Sequence, residues 1–268
     1  VVLYGADHYI DGEDRCEPAP EMLRSELLPE SRPFTAADAP ETLFQLCTPE
    51  VWNKLFRRDF LLDNGLRFQE LPNTNDLFLA LGAMALGRIA AVEKTLVHYR
   101  VGGTGIQAGK AGAPLAFREA LRALGELLRE RGLYPMLERS YRNLALFHIN
   151  FNYRGMRQEL SGALRELYHE FGVDAAPASY FSPLSEYEQY VENICGLADF
   201  DAFREDVHPD FFRVGTARGM RAAAENREKY EAAAEEIDRI HRSASYRIGR
   251  LVTAPVRALR DHTSKENL

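Results

Sequence analysis

Between Leu71 and Gly87 the chain reads LPNTNDLFLALGAMALG. A polar, turn-forming patch ends at Asp76, and every residue from Leu77 to Leu86 is apolar or glycine. The run is far short of the roughly 20 residues that span a bilayer, and no other stretch approaches that length, so a water-surrounded fold has to cover it. It reads as a helix that opens at Asp76, carries Leu77, Leu81, Met84 and Ala85 on one face and closes at Gly87. The question it poses is whether Asp76 only complements the helix start or is placed to take a proton from a substrate.

The segments around this run set the fold class. Val1–Tyr4 reads as a buried strand from the first residue, which suggests that the sequence starts inside a fold. Residues 11–41, rich in Pro, Glu, Asp and Ser, read as a long surface loop with one short helix near Glu21–Leu28. In CTPEVWNKLFRRDFLLDNG, Thr48 is placed as an N-cap, Pro49 suits the first helical position, and Glu50 complements the dipole. Val51 and Leu55, and Trp52, Phe56 and Phe60, follow at helical spacing, with Gly65 as the stop. LRF reads as a short strand, and RIAAVEKTLVHYRV reads as a hairpin turning near Glu93-Lys94. The glycine-rich GGTGIQAGKAGAP follows as a loop.

From Pro114 the periodicity becomes helical. Phe117, Ala120, Leu121, Leu124, Leu127 and Leu128 form one stripe, and further helices are expected near 135–153, 157–171 and 185–196. Residues 216–243 read as a long, alanine-rich charged helix. Between Arg239 and Arg260 lie six Arg and no Asp or Glu, with Pro255 breaking the segment. The expected organisation is an α/β part over 1–110, a helical domain over 111–215, and a long charged helix with a basic amphipathic tail over 216–268.

Bulk properties remove some functions. A formal charge of -7 argues against general nucleic-acid binding. Cys16, Cys47 and Cys195 are odd in number and far apart, so neither a disulfide framework nor a zinc site is expected, and a reducing, cytoplasmic setting fits. His98, beside Tyr99 in a strand, reads as a packed or capped histidine rather than a ligand.

The order of motifs carries a resemblance. VWNKLFRRDFL comes first, then an acid opening NDLFLALGAMALG, then RIAAVEKTLVHYRVGGTGI. This resembles the second half of a family 2 glycosyltransferase domain of the GT-A fold, over about residues 1–110. That family has an aromatic-and-lysine helix, an Glu-Asp pair opening a helix, and a strand hairpin ending in a Tyr-Arg stretch with Gly-Ser beyond. Asp76 falls on the aspartate of the acidic pair, Asn75 replaces its glutamate, Tyr99 and Arg100 match Tyr-Arg, and Thr104 stands where Ser is usual. The resemblance implies a nucleotide-sugar donor and a glycan or lipid-linked acceptor in cell-surface polysaccharide synthesis. It also implies a divalent metal, Mg or Mn, held by an Asp-x-Asp motif in the full-length protein. That motif and the donor-holding strands are not in this sequence; Asp7 and Asp11 have the wrong spacing for it.

On this reading Asp76 is the base that deprotonates the acceptor hydroxyl, and transfer inverts the anomeric carbon. By composition alone a helix-start acid needs no such role; the ordered motifs favour the base. Arg100, with the glycine-rich loop to Gln107, is placed to stabilise a leaving diphosphate, or else only to exit the hairpin. Trp52 could stack on a sugar or belong to the core, while Asn53 and Lys54 could bond hydroxyls. Asn75 and Thr104 complete the substrate-side set, and Asp7 and His8, ending the first strand, are weaker candidates for lining the cleft. The tail over 239–260 is suited to peripheral contact with an anionic membrane face, or to packing on its own domain or on a partner. The chain alone, without a donor site, is expected to be inactive. The alternative is a non-catalytic binding or scaffolding module derived from a transferase fold.

Overall fold

Strand β1, Val2–Ile10, is the axis of a four-stranded mixed sheet. Along one side runs β4, Ala90–Val101, parallel to β1 over its whole length. The other side is shared: β2, Arg15–Pro18, pairs antiparallel with the second half of β1, and β3, Lys54–Leu55, pairs with its start. A parallel pair needs a long crossover, and here the crossover contains α1, Arg58–Asp63, and α2, Leu77–Leu86. After β4 come α3, Ala116–Glu130, α4, Tyr134–Gly155, α5, Arg157–Leu160, α6, Leu164–Glu170, and α7, Tyr187–Cys195. The chain is therefore α/β overall. This is a computed structural model, and it describes residues 1–10, 12–101 and 112–195, all within one compact unit, Val1–Phe211. The expected glycine-rich loop with Thr104, the charged helix over 216–243 and the basic tail over 239–260 lie outside the described residues.

Helix α2 is buried on nearly every side: Leu77 and all residues from Leu79 to Ala85 are inaccessible. A helix with no polar face has to sit between layers. Leu77, Leu81, Met84 and Ala85 join Leu3 of the sheet, Phe34 of the long loop, Leu43 of the 3-10 turn Leu43–Gln45, and Phe117, Leu121 and Leu124 of α3 in one core. Tyr141, Leu144 and Ile149 of α4 extend the same core. The stripe expected on α3 is wholly buried, so the α/β part and the helices after Pro114 share their interior. Gly82 permits the close approach of α2 to α3, since a Cβ there would lie 2.9 Å from a Leu66 methyl and 3.0 Å from a Leu127 methyl.

Four expectations are corrected. The segment expected as a hairpin over 88–101 forms one strand, Ala90–Val101: the register jumps from Tyr4↔Val92 to Gly5↔Thr95 to Ala6↔Val97, so Glu93, Lys94 and Leu96 bulge out while the direction is kept. Gly5 permits the bulge, because a Cβ there would stand 3.1 Å from the Lys94 carbonyl oxygen. Residues 48–57 form no helix; only Arg58–Asp63 is helical, ending at Asn64 before Gly65, whose φ is +67°. The ammonium of Lys54, placed inside, gathers the carbonyls of Thr48 and Glu50 and ties this segment into a loop. Leu66–Phe68 is not a strand. The expected surface loop over 11–41 contains β2 and short 3-10 turns at Pro20–Met22 and Ser25–Leu27, and it buries Met22, Leu23 and Phe34.

Candidate active site

Lys54 anchors the polar side of the sheet's entry end. Its side chain is 4 % exposed, and its ammonium donates to Thr48 O at 2.7 Å, Glu50 O at 2.6 Å and Asn53 Oδ1 at 2.7 Å. An ammonium has three protons, so all three are committed. Asn53 is equally buried and donates its Nδ2 to Met22 O at 2.9 Å. The backbone carbonyl of Asn53 accepts from Tyr4 N–H at 3.2 Å, and that of Trp52 accepts from Tyr4 Oη at 2.7 Å. The aromatic-and-lysine motif is thus a clamp that fixes the loop to β1 and to the turn at Met22.

Asp76 opens α2 as its N-cap residue, yet its side chain makes no capping hydrogen bond. Its carboxyl is held above the ordinary carboxylate range, chiefly by desolvation and in part by the negative charge of Glu50; backbone N–H groups of Asp76 and Leu77 and the Lys54 ammonium pull the other way. One oxygen of Glu50, Oε2, is buried without a hydrogen-bond partner. The Cys47 thiol is pushed up by burial, with Lys54 opposing that shift. Glu50 and Lys54 therefore act electrostatically on both the Asp76 carboxyl at the start of α2 and the Cys47 thiol, which lies against Met84.

Trp52 stacks on Tyr99, with ring centroids 5.0 Å apart and planes 4° from parallel. The two rings cover a small cluster of Ala6, Ala19 and Met22. Asn75 is exposed, and its carbonyl accepts from Gln69 N–H at 3.1 Å. Arg100 pairs in register with Tyr9, while Tyr99 pairs with His8. Arg100 therefore lies on the sheet face opposite the Trp52–Tyr99 stack, 5.8 Å over the Tyr9 ring. Of the residues expected at the site, Lys54 acts on Asp76 through its charge, Asn53 is bonded to Lys54 and Met22, Trp52 packs with Tyr99 over Ala6, Ala19 and Met22, and Thr104 is outside the described residues.

An open concavity of about 620 Å³ lies between Gln69–Leu71 and α3, lined also by Glu119, Arg122 and Glu126. None of the residues expected at the site lines it. Sequence reasoning missed Glu50 as a member of the Asp76 group: an acid four residues before Lys54 also suits one helical face, and that spacing hid its real place in a loop.

Asp7 of β1, Cys16 of β2 and His98 of β4 form a second polar group. Thiol and imidazole donors do not suit Mg²⁺ or Mn²⁺ bridging a diphosphate, which prefer oxygen ligands. The metal that the family resemblance implies therefore finds no fitting site in these residues. Compared with protein-family models, curated proteins and solved structures, the chain matches none.

Proposed function

We propose that this chain is the acceptor-side part of an inverting glycosyltransferase that moves a sugar from a nucleotide-diphosphate donor to a glycan or lipid-linked acceptor. The reading rests first on Asp76: a half-buried carboxyl at the start of a rigid, fully packed helix, uncapped and with raised basicity. A general base works best when its pKa is drawn toward the working pH, and partial burial beside Glu50 acts in that direction. In the proposed step Asp76 accepts the acceptor hydroxyl proton as the oxygen bonds to the anomeric carbon. The bond from that carbon to the diphosphate breaks, and the nucleoside diphosphate leaves with the electron pair. Glu50 supports the base role through its negative charge, which helps to raise the pKa of the Asp76 carboxyl. Lys54 and Asn53 act by holding the loop, since their donors are already engaged.

The test is Asp76→Asn in the full-length protein, at a site of cell-surface polysaccharide synthesis on the cytoplasmic side. Transfer is expected to fall by about 10²–10⁴-fold with donor affinity unchanged. Near-normal turnover would remove Asp76 from the base role. A non-catalytic docking module is the second reading. One observation favours it: the open concavity lies at Gln69–Leu71 and α3 rather than at Asp76. A full-length protein that binds acceptor glycan but turns over no donor would support it.

A further inference from the structure

We propose that Asp7, Cys16 and His98 form a binding site for a zinc-class divalent cation, with three protein ligands and one position left to solvent. The three residues come from three adjacent strands. His98 pairs directly with Asp7 in the parallel register, and Cys16 pairs with Tyr9 in the antiparallel one. Tyr9 and Asp7 are two residues apart on β1, so all three side chains project from the same face of the sheet. That face is opposite the one bearing the Trp52–Tyr99 stack, and the site is independent of the transferase reading.

The distances suit a tetrahedral ion. One donor atom from each residue lies within 4.8 Å of the other two. Ligand bonds of about 2.3 Å to sulfur and about 2.0 Å to nitrogen place S and N about 3.5 Å apart around zinc. Cys16 Sγ stands 3.6 Å from His98 Nδ1. Asp7 Oδ1 is 2.6 Å from the same nitrogen, a hydrogen-bond distance that has to open by well under 1 Å to become a shared coordination edge. Without a cation, the Asp7 carboxylate is the common acceptor beside the imidazole and the thiol. A divalent ion takes the place of their protons and uses the same three atoms.

The donor set also selects the ion. A thiolate, an imidazole and a carboxylate favour Zn²⁺ or Co²⁺ over Mg²⁺ or Ca²⁺. Asp7 is mostly covered, with 17 % of its side chain exposed, while His98 is 67 % exposed and Cys16 lies at the surface. An ion can therefore enter from solvent and retain a water. Its mechanical effect is to clasp β2 and β4 across β1, at the end of the sheet where β2 has only four residues to hold it.

Titration of the whole chain with Co²⁺ tests this. A thiolate-to-cobalt charge-transfer band with tetrahedral d–d absorption is expected. Cys16→Ser should abolish the band, and His98→Gln should weaken Co²⁺ binding by about 100-fold or more. Cys195→Ser should leave both unchanged. Zn²⁺ should displace Co²⁺ and raise the melting temperature of the parent but not of Cys16→Ser. Cys16 is at the surface, so its serine variant retains the fold and far-ultraviolet circular dichroism verifies this. No charge-transfer band at millimolar Co²⁺, or a band that persists in Cys16→Ser, would overturn the site.

Discussion

At the scale of single residues, Asp76 is a carboxylate that the fold makes uncomfortable. Burial raises its pKa in the folded chain, so the folded state holds the proton more tightly than the unfolded one. Such a group favours folding at pH below its unfolded value, and that contribution is lost as pH rises through the folded value. Asp76→Asn should therefore raise the unfolding midpoint at pH 7, and the gain should shrink as pH falls through the carboxylate range. A midpoint that drops at pH 7 would mean that the carboxylate is held by interactions the desolvation does not outweigh. A carboxylate that costs stability where it stands is the pattern expected of a functional group. Gly125 of α3 supports a second prediction. A Cβ there would stand 2.6 Å from Tyr141 Oη, which donates to Leu121 O at 2.9 Å. Gly125→Ala gains about 1 kcal/mol of helix propensity but displaces a buried hydroxyl from its acceptor, at about 1–3 kcal/mol. A net loss in chemical denaturation is expected.

At the scale of elements, α2 and the Lys54 loop behave oppositely. Leu81 is wholly buried in α2, and Leu81→Ala should cost about 2–5 kcal/mol in urea unfolding. Lys54→Met keeps the length but leaves two backbone carbonyls and the Asn53 side chain without their donor. Hydrogen exchange should speed up over residues 48–54 before it does in α2. What was legible in the sequence follows the same division. The α3 stripe and the start of α4 are legible because burial on one face of a helix leaves a periodic trace, and α2 because a polar turn gives way at Asp76 to an unbroken apolar run. The Lys54 loop was not: Trp52, Phe56 and Phe60 keep helical spacing, while the competing interaction is a single buried ammonium whose partners lie up to six residues back. The bulge at Glu93-Lys94 was read as a turn because a charged pair interrupts both in the same way. The grouping of Asp76 with Lys54 and Glu50 depends on that loop, so motif order could align Asp76 with a family position without revealing its neighbours. Asp7, Cys16 and His98 left no local trace, since Cys16 and His98 are 82 positions apart and meet only through strand register.

At the scale of the molecule, sheet and helices share one interior, from Leu3 through Leu77 and Phe117 to Ile149 and Tyr190. An ion network joins α3 to α6, with Arg118 and Arg122 both meeting Glu170. Leu121→Ala, on the buried face of α3, should therefore lower the protection of α2 and α4 together in native-state hydrogen exchange. Separate losses would mean two independently folding parts. The bulged strand has a consequence for how such a chain can change over time. β4 places an odd number of extra residues, Glu93, Lys94 and Leu96, between two stretches matched one-to-one with β1. Point substitutions leave that count alone. Loss of a single codon there, with three residues still bulging, would move every later residue one place along β1, bringing Tyr99 beside Asp7 and Arg100 beside His8. The imidazole would enter the apolar cluster and the phenol would face the thiol. Length at this one spot thus decides which side chains each sheet face carries: where the bulge keeps its size, one residue gained or lost exchanges the chemistry of the two faces in one step.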